Sequence, residues 1–156
     1  MDIEIPAEYR EYVRRVFPNL TEGLNFDYTS PVNYNYNCLS WALSCDTFPF
    51  ENAKGAVWPW KNIPDDTADG WAKVLQIHGF EDTPNADFLP GFEKVAIFQD
   101  DGGGLHAARS DSAGRWKSKL GDMGPDIDHD DLDSLQSGYG TLVRFLRRRR
   151  LDWSLE

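Results

Sequence analysis

A chain of 156 residues is the usual size of one domain and can bury a substantial core. With 16 basic and 26 acidic residues its net charge is −10, which disfavours nucleic acids and anionic membranes as partners and favours a cationic or neutral substrate. No segment reaches the roughly 20 apolar residues of a membrane span, and the acidic N-terminus lacks a secretory signal, so we expect a cytoplasmic protein or one delivered by a signal-less secretion route.

Three helices are predicted in the first half of the chain. Residues 6–17 carry apolar and aromatic side chains at helical spacing, with a proline in the first turn and another just beyond the end. Residues 38–45 form a short helix that is apolar on most sides. The polar residues 65–67 supply capping oxygens for a helix over 68–78, which a glycine ends.

The second half of the chain favours strands. Apolar or alternating patterns predict four of them, at 94–98, from His106 onward after a glycine-rich turn, at 115–120 and at 140–146. Residues 121–128 are predicted to be a loop, 130–135 a short acidic helix, and the basic block 147–150 a solvated strand end. Helices followed by an antiparallel sheet predict a single α+β domain over 1–156, with its core at about 33–146.

Cys38 lies where a polar loop becomes an apolar helix. The first turn of a helix leaves backbone N–H groups unpaired and carries partial positive charge, so it stabilises a thiolate and a developing oxyanion. Cys38 is therefore the candidate nucleophile. Cys45 follows in the same predicted helix without an evident base and is interpreted as core, and we expect no disulfide because two such positions lie about 10 Å apart.

His106 is the candidate general base. Close to Cys38 it would take the thiol proton, and the imidazolium would then protonate the leaving amine. The backbone N–H of Cys38 would supply one oxyanion donor. A second donor would come from the preceding polar segment, whose three candidates the sequence does not rank: Asn33, Tyr34 and Asn35.

Segments 37–42 and 105–108 resemble the cysteine and histidine elements of the papain-like superfamily, in particular its compact branch of NlpC/P60 and CHAP amidases. The resemblance implies a papain-like α+β fold, with N-terminal helices packed on a small antiparallel sheet. It also implies a third polar residue on the next strand, which falls at Ser118, whose hydroxyl can accept an imidazole N–H. Residues 116–121, together with His129, resemble an uncharacterised bacterial group of papain-like domains.

His129 has two interpretations. Aspartates surround it in the sequence and would keep it protonated on the surface, or it serves as a late catalytic partner. The third member of the site is therefore Ser118, His129 or absent.

Two further features concern ligands. Trp58 and Trp60 are candidates for an aromatic substrate wall, although tryptophan more often packs in a core. We expect no metal and no cofactor, because the chain has no CxxC or HExxH pattern and only 3 histidines.

These features together favour a thiol-dependent amide-bond hydrolase that forms an acyl-enzyme on Cys38, with His106 as base and then acid. Its partner would be a peptide or amide substrate, and the oligomeric state is left open. The alternatives are a catalytically inactive papain-like binding or regulatory module, a glutamine deamidase or transglutaminase, and an acidic protein that masks a basic partner.

Overall fold

One antiparallel sheet organises the part of the chain that the computed structural model describes, residues 3–32, 36–45, 58, 60–120 and 124–156. The strands are β1 Phe26–Tyr28, β2 Glu81–Asp82, β3 Phe92–Gln99, β4 Leu105–Ser110, β5 Trp116–Lys119, β6 Asp126–His129 and β7 Thr141–Arg149. They run in the spatial order β1-β6-β5-β4-β3-β7-β2, and each neighbouring pair is antiparallel.

The helices are few and short. They are α1 Ala7–Val16, α2 Cys38–Ala42, α3 Ala68–Ile77 and a 3-10 turn Asp133–Leu135 that runs into α4 Gln136–Tyr139. None of the helices in the described residues is long and apolar enough to cross a membrane.

The predicted fold class, a papain-like α+β fold with helices packed on a small sheet, is wrong. The described chain is mainly a seven-stranded sheet with short helices. The sequence patterns miss three strands, because β1 and β2 are very short and β6 lies in a segment interpreted as a loop over 121–128. The predicted acidic helix over 130–135 is also misplaced, since helical residues begin only at Asp133.

Apolar layers cover both faces of the sheet. Alternate residues of a strand point to opposite faces. Ala96 and Phe98 of β3 join a cluster that contains Val13 of α1, whereas Val95 and Ile97 join a second cluster built by α2 and α3. Burial on both faces explains why β3 is a continuous apolar run rather than an alternating one.

The basic block at 147–150 is a solvated strand end only in part, because Arg149 is exposed but Arg148 is buried. Strand β7 continues to Arg149, and Arg148 forms a buried ion pair with Glu93, with an Nε to Oε1 distance of 2.9 Å. Arg148 also lies against the ring of Phe80, 4.4 Å from its centroid. A buried charge is stable only when it is paired, so the carboxylate on the neighbouring strand holds this arginine inside.

Candidate catalytic site

A capping box fixes the start of α2. The Asn37 side chain accepts a hydrogen bond from the Ser40 backbone N–H at 2.9 Å, and the Ser40 hydroxyl accepts one from the Asn37 N–H at 2.8 Å. Both residues are buried. This reciprocal pair satisfies two donors of the helix start. Cys38 is the first helical residue and is held between these two caps.

Arg109 of β4 holds the other end of α2. Its Nε donates to the Trp41 carbonyl at 3.2 Å, and its guanidinium lies 5.0 Å from the centroid of the Trp41 ring. Burial lowers the pKa of Arg109 to about 10, which still leaves it charged at neutral pH. Caps at the start and a cation at the end therefore fix Cys38 relative to β4.

Cys38 and His106 line one cavity of about 260 Å³. Chain segments far apart in the sequence form its wall, namely the start of α2, the turn into β4, the segment before α3 and the end of α4. The described residues that line it are Asn37, Cys38, Asp65, Asp66, Trp71, Gly103, Gly104, Leu105, His106 and Tyr139. The structure thus brings the predicted nucleophile and the predicted base to the same cavity.

A buried chain of hydrogen bonds leads away from His106. Its Nε2 lies 3.0 Å from the Ser118 Oγ, and the same oxygen lies 2.8 Å from Nε2 of His129. The His129 Nδ1 in turn lies 2.8 Å from the backbone carbonyl oxygen of Asp131. The predicted third position, Ser118, contacts the histidine, and His129 extends the chain by one residue.

The carbonyl at the end of this chain determines where the protons lie. A carbonyl only accepts, so the His129 Nδ1 must carry a hydrogen and, in a neutral ring, Nε2 must accept. The Ser118 hydroxyl therefore donates to His129 and accepts from His106. This assigns the His106 proton to Nε2 and leaves Nδ1 with a lone pair.

Burial keeps both imidazoles neutral. It lowers the pKa of His106 well below its ordinary range, and the neighbouring His129 lowers it further. Burial also lowers the pKa of His129 to about 4, although the Asp131 carbonyl and carboxylate act in the opposite direction. At neutral pH, His106 is therefore a neutral imidazole that can accept a second proton.

Tyr139 stacks on His106 and is a site residue that sequence reasoning missed. The ring centroids are 3.7 Å apart and the planes differ by 2°. Burial raises the pKa of Tyr139 well above its ordinary value, and the neighbouring Cys38 raises it further, so the phenol stays protonated. In the sequence, the one indication of this site was that Tyr139 lies between two glycines. The structure explains both of them, since a Cβ at Gly138 or Gly140 would clash with neighbouring atoms.

Other predicted site residues lie elsewhere. The oxyanion candidates Asn33, Tyr34 and Asn35 fall outside the described residues. Trp58 and Trp60 form a T-shaped pair with centroids 4.9 Å apart and pack against the α2–α3 cluster. Neither of these two indoles is among the described residues lining the Cys38 cavity, where Trp71 and Tyr139 supply aromatic surface instead.

The remaining histidine and cysteine predictions have mixed outcomes. A protonated, surface-exposed His129 is wrong, because the side chain is buried and its pKa is lowered. Cys45 packs against the α2–α3 cluster, and the two cysteines form no disulfide, as expected. No group of three or more potential metal ligands occurs within the described part of the chain.

Comparison with known families assigns the chain. The sequence model of a domain family described as "Domain of unknown function (DUF7689)" matches residues 27–147. The chain belongs to the DUF7689 family. The matched region begins within β1 and ends within β7, so this DUF7689 domain contains the entire hydrogen-bond chain from His106 to Asp131 as well as Cys38. No curated protein and no solved structure matches the chain.

Proposed function

We propose that this DUF7689 domain is a thiol-dependent amide-bond hydrolase that forms an acyl-enzyme on Cys38. The observation that carries the proposal is the polarity of the His106–Ser118–His129 chain, which leaves an unprotonated Nδ1 on a histidine of the Cys38 cavity. A general base requires a neutral imidazole in which one ring nitrogen is fixed by a hydrogen bond and the other is unprotonated. This chemistry does not require the papain-like fold.

The reaction would proceed in two halves. His106 Nδ1 takes the thiol proton as the sulfur attacks the carbonyl carbon, and the resulting oxyanion is stabilised by backbone N–H groups at the start of α2. The tetrahedral intermediate collapses, the C–N bond breaks and the proton passes from His106 to the leaving amine. Water then attacks the thioester with the same histidine as base, which releases the acid and restores the thiol.

Ser118 and His129 would act through His106. When His106 becomes an imidazolium, its Nε2–H continues to donate to the Ser118 oxygen, and the Ser118 hydroxyl donates onward to His129. The chain therefore prevents the ring from turning, and charge on one member polarises the next. The stacked Tyr139 adds an aromatic face to a developing cation.

A glutamine deamidase and a transglutaminase use the same acyl-enzyme. They differ in the leaving group, which is ammonia, and in the acceptor, which is an amine for the transglutaminase. Hydrolysis is the first choice because water is the most abundant acceptor.

The second candidate is an inactive binding or regulatory module. The burial of Cys38, which is 8% exposed, favours it, because a nucleophile must reach its substrate. The two candidates predict opposite reactivities of the same thiol, so one experiment separates them.

The experiment is alkylation of the folded protein in a Cys45→Ser background, with iodoacetamide adducts mapped by mass spectrometry. We expect Cys38 to react at pH 7 faster than the same residue in the unfolded chain, because His106 accepts the thiol proton as the sulfur attacks the reagent. Replacement His106→Gln should slow this reaction at least about ten-fold, within the range of general-base effects. His78→Gln is the matched control and should leave the rate unchanged, since His78 lies outside the cavity lining.

Two results would overturn the proposal. One is a Cys38 that reacts no faster than an unfolded thiol. The other is a reactive Cys38 whose rate does not change in His106→Gln. Incubation with a p-nitrophenyl ester supplies an independent readout, since the active enzyme should carry the acyl group on Cys38.

A further inference from the structure

We propose that the phenol of Tyr139 is a second oxyanion donor of the Cys38 cavity. The hydroxyl would donate a hydrogen bond to the carbonyl oxygen that becomes negative when the Cys38 sulfur attacks an amide or an ester. This inference deepens the proposed function and rests on it. It gives Tyr139 a catalytic role in addition to its stacking on His106.

An oxyanion in this cavity depends on hydrogen-bond donors. No lysine or arginine is among the described residues that line the cavity, and His106 is neutral, so no cation is at hand to balance the charge. The Trp71 indole N–H is already used by the Asp65 carbonyl at 2.8 Å, and Nε2 of His106 lies 3.0 Å from the Ser118 oxygen. Tyr139 also lines the cavity, and its hydroxyl forms no hydrogen bond within the described part of the chain.

The ring of Tyr139 is held from several sides. It stacks on His106, with centroids 3.7 Å apart and planes that differ by 2°, and it lies against Phe17, with centroids 5.1 Å apart. Its backbone is packed closely as well, since a Cβ at Gly138 would meet the Phe17 ring and one at Gly140 would meet the backbone at the end of β3. A donor that is fixed before the reaction needs no reorganisation when charge develops on the substrate, which is what makes such a donor effective.

The Tyr139 hydroxyl and the Cys38 sulfur are close enough to influence each other. After burial, Cys38 is the group that raises the pKa of the Tyr139 phenol most, ahead of Tyr9 and Tyr12 on α1. Such an influence falls with distance, so the hydroxyl end of the ring lies on the Cys38 side. The raised pKa also keeps the phenol protonated, and only a protonated phenol can donate to an oxyanion.

Stacking separates the tasks of the two rings. The lone pair on Nδ1 of His106 lies in the plane of the imidazole, so the Cys38 thiol must approach in that plane to give up its proton. The Tyr139 ring lies in a parallel plane, with the two centroids 3.7 Å apart. Its hydroxyl therefore lies to one side of the path between the sulfur and Nδ1. His106 can take the proton while the phenol binds the carbonyl oxygen.

The phenol keeps its own proton in the proposed step. As the sulfur bonds to the carbonyl carbon, the π electron pair of the C=O bond moves to the oxygen and His106 Nδ1 takes the thiol proton. The Tyr139 O–H donates a hydrogen bond to that oxygen, and the bond strengthens as the negative charge grows. When the intermediate collapses, the electron pair returns to the C=O bond and the bond to the leaving group breaks.

The test compares two reactions of the same thiol in the Cys45→Ser protein. Iodoacetamide loses iodide from a saturated carbon, so no oxyanion forms. The reaction with p-nitrophenyl acetate passes through a tetrahedral oxyanion and releases p-nitrophenolate, which is followed by its absorbance while mass spectrometry confirms the acetyl group on Cys38. The ratio of the acylation rate to the alkylation rate therefore reports oxyanion stabilisation separately from the reactivity of the thiol.

Tyr139→Phe keeps the stacked ring and removes only the hydroxyl. We expect it to lower the ratio on the order of 100-fold, through slower acylation and unchanged alkylation, as for the loss of one oxyanion donor. Its midpoint of urea unfolding should be unchanged, because the hydroxyl has no hydrogen-bond partner within the described residues. Tyr12→Phe is the matched control, since it removes the same group from an exposed tyrosine outside the described cavity lining, and it should leave the ratio unchanged.

The possible failures are distinguishable. If Cys38 is acylated equally fast in Tyr139→Phe and in the unmodified tyrosine protein, the inference is wrong and the hydrolase proposal stands. Equal slowing of acylation and alkylation would also overturn the inference, since the hydroxyl would then act on the thiol and not on the oxyanion. A lowered midpoint of urea unfolding in Tyr139→Phe would overturn it as well, because the hydroxyl would then be bonded within the protein. A Cys38 that neither reagent modifies, with Tyr139 in place, would overturn both proposals.

Discussion

The buried His129 predicts that this domain loses stability in mild acid. Burial lowers the pKa of His129 from its ordinary 6.5 to about 4 in the folded state. The unfolded chain therefore binds a proton at this residue below about pH 6.5, whereas the folded protein binds it only near pH 4. Protons favour the unfolded state throughout that window, so the stability falls as the pH falls from 6.5 to 4.

The size of the effect follows from the two pKa values. A full shift from 6.5 to about 4 corresponds to about 3 kcal/mol, and by pH 5 about 2 kcal/mol of this is already lost. His106 acts in the same direction, because burial also lowers its pKa. A loss of this size is a large share of the about 5–15 kcal/mol that stabilises an ordinary domain.

Urea unfolding followed by circular dichroism, at half-unit steps from pH 7.5 to pH 5, measures this loss. The variant His129→Gln should be less stable at pH 7, because the Ser118 hydroxyl loses its acceptor, but its stability should vary less with pH by about 2 kcal/mol. Removing His129 also removes one cause of the lowered His106 pKa, which flattens the variant's profile further.

The control is His78→Gln. Burial lowers the pKa of His78 as well, but this residue is partly exposed and lies outside the hydrogen-bond chain. We expect its profile to flatten less than that of His129→Gln, because the exposed part of the His78 side chain is solvated and its pKa is lowered less strongly. If His129→Gln loses stability in acid as steeply as the unmodified protein does, His129 does not remain neutral in the folded state and the proton assignment along the chain is wrong.

Three further substitutions test the contacts that hold the site residues in place. Ser118→Ala should lower the free energy of unfolding in urea by about 1–3 kcal/mol, since both imidazoles lose a buried partner. It should also slow Cys38 alkylation about ten-fold. An unchanged alkylation rate would show that Ser118 does not support the reactivity of Cys38. Asn37→Ala should lower the free energy of unfolding by about 1 kcal/mol, because the capping box of α2 is lost. Asn37→Asp keeps a capping side chain and is the control. An equal loss of stability in both variants would argue against capping as the cause. Gly140→Ala should lower the unfolding temperature by several degrees, because Gly140 has φ of 88° and a Cβ there would meet the Gln99 carbonyl; an unchanged temperature would contradict this close approach.

Local patterns predicted several elements of the fold, including the start of α2 with Cys38 and strand β4 with His106. Helices α1 and α3 and strands β3 and β4 follow from apolar periodicity and from their end signals, and the structure has all four close to the predicted bounds. Cys38 and His106 could be paired in advance because each occupies a recognisable place, the first residue of a helix and the start of a strand.

The parts of the fold and of the site that the sequence did not predict depend on contacts between segments far apart in the chain. Strand β6 reads as a loop because its residues are mostly charged, yet it pairs with β1 and β5 and so brings His129 near Ser118. Without that pairing the sequence could not place His129 inside the protein. Tyr139 was missed for a similar reason, since Gly138 admits the ring of Phe17 only once α1 packs against α4.

Nitrogen-15 NMR of the protein labelled at histidine, at pH 7, tests most directly whether His106 carries its proton on Nε2 and presents a bare Nδ1 to the Cys38 cavity. The hydrogen-bond chain predicts an Nδ1 resonance in the range of an unprotonated imidazole nitrogen and an Nε2 resonance in the range of a protonated one. Ser118→Ala should mix the two tautomers. A His106 that is protonated on Nδ1, or on both nitrogens, would contradict the assignment of His106 as the base.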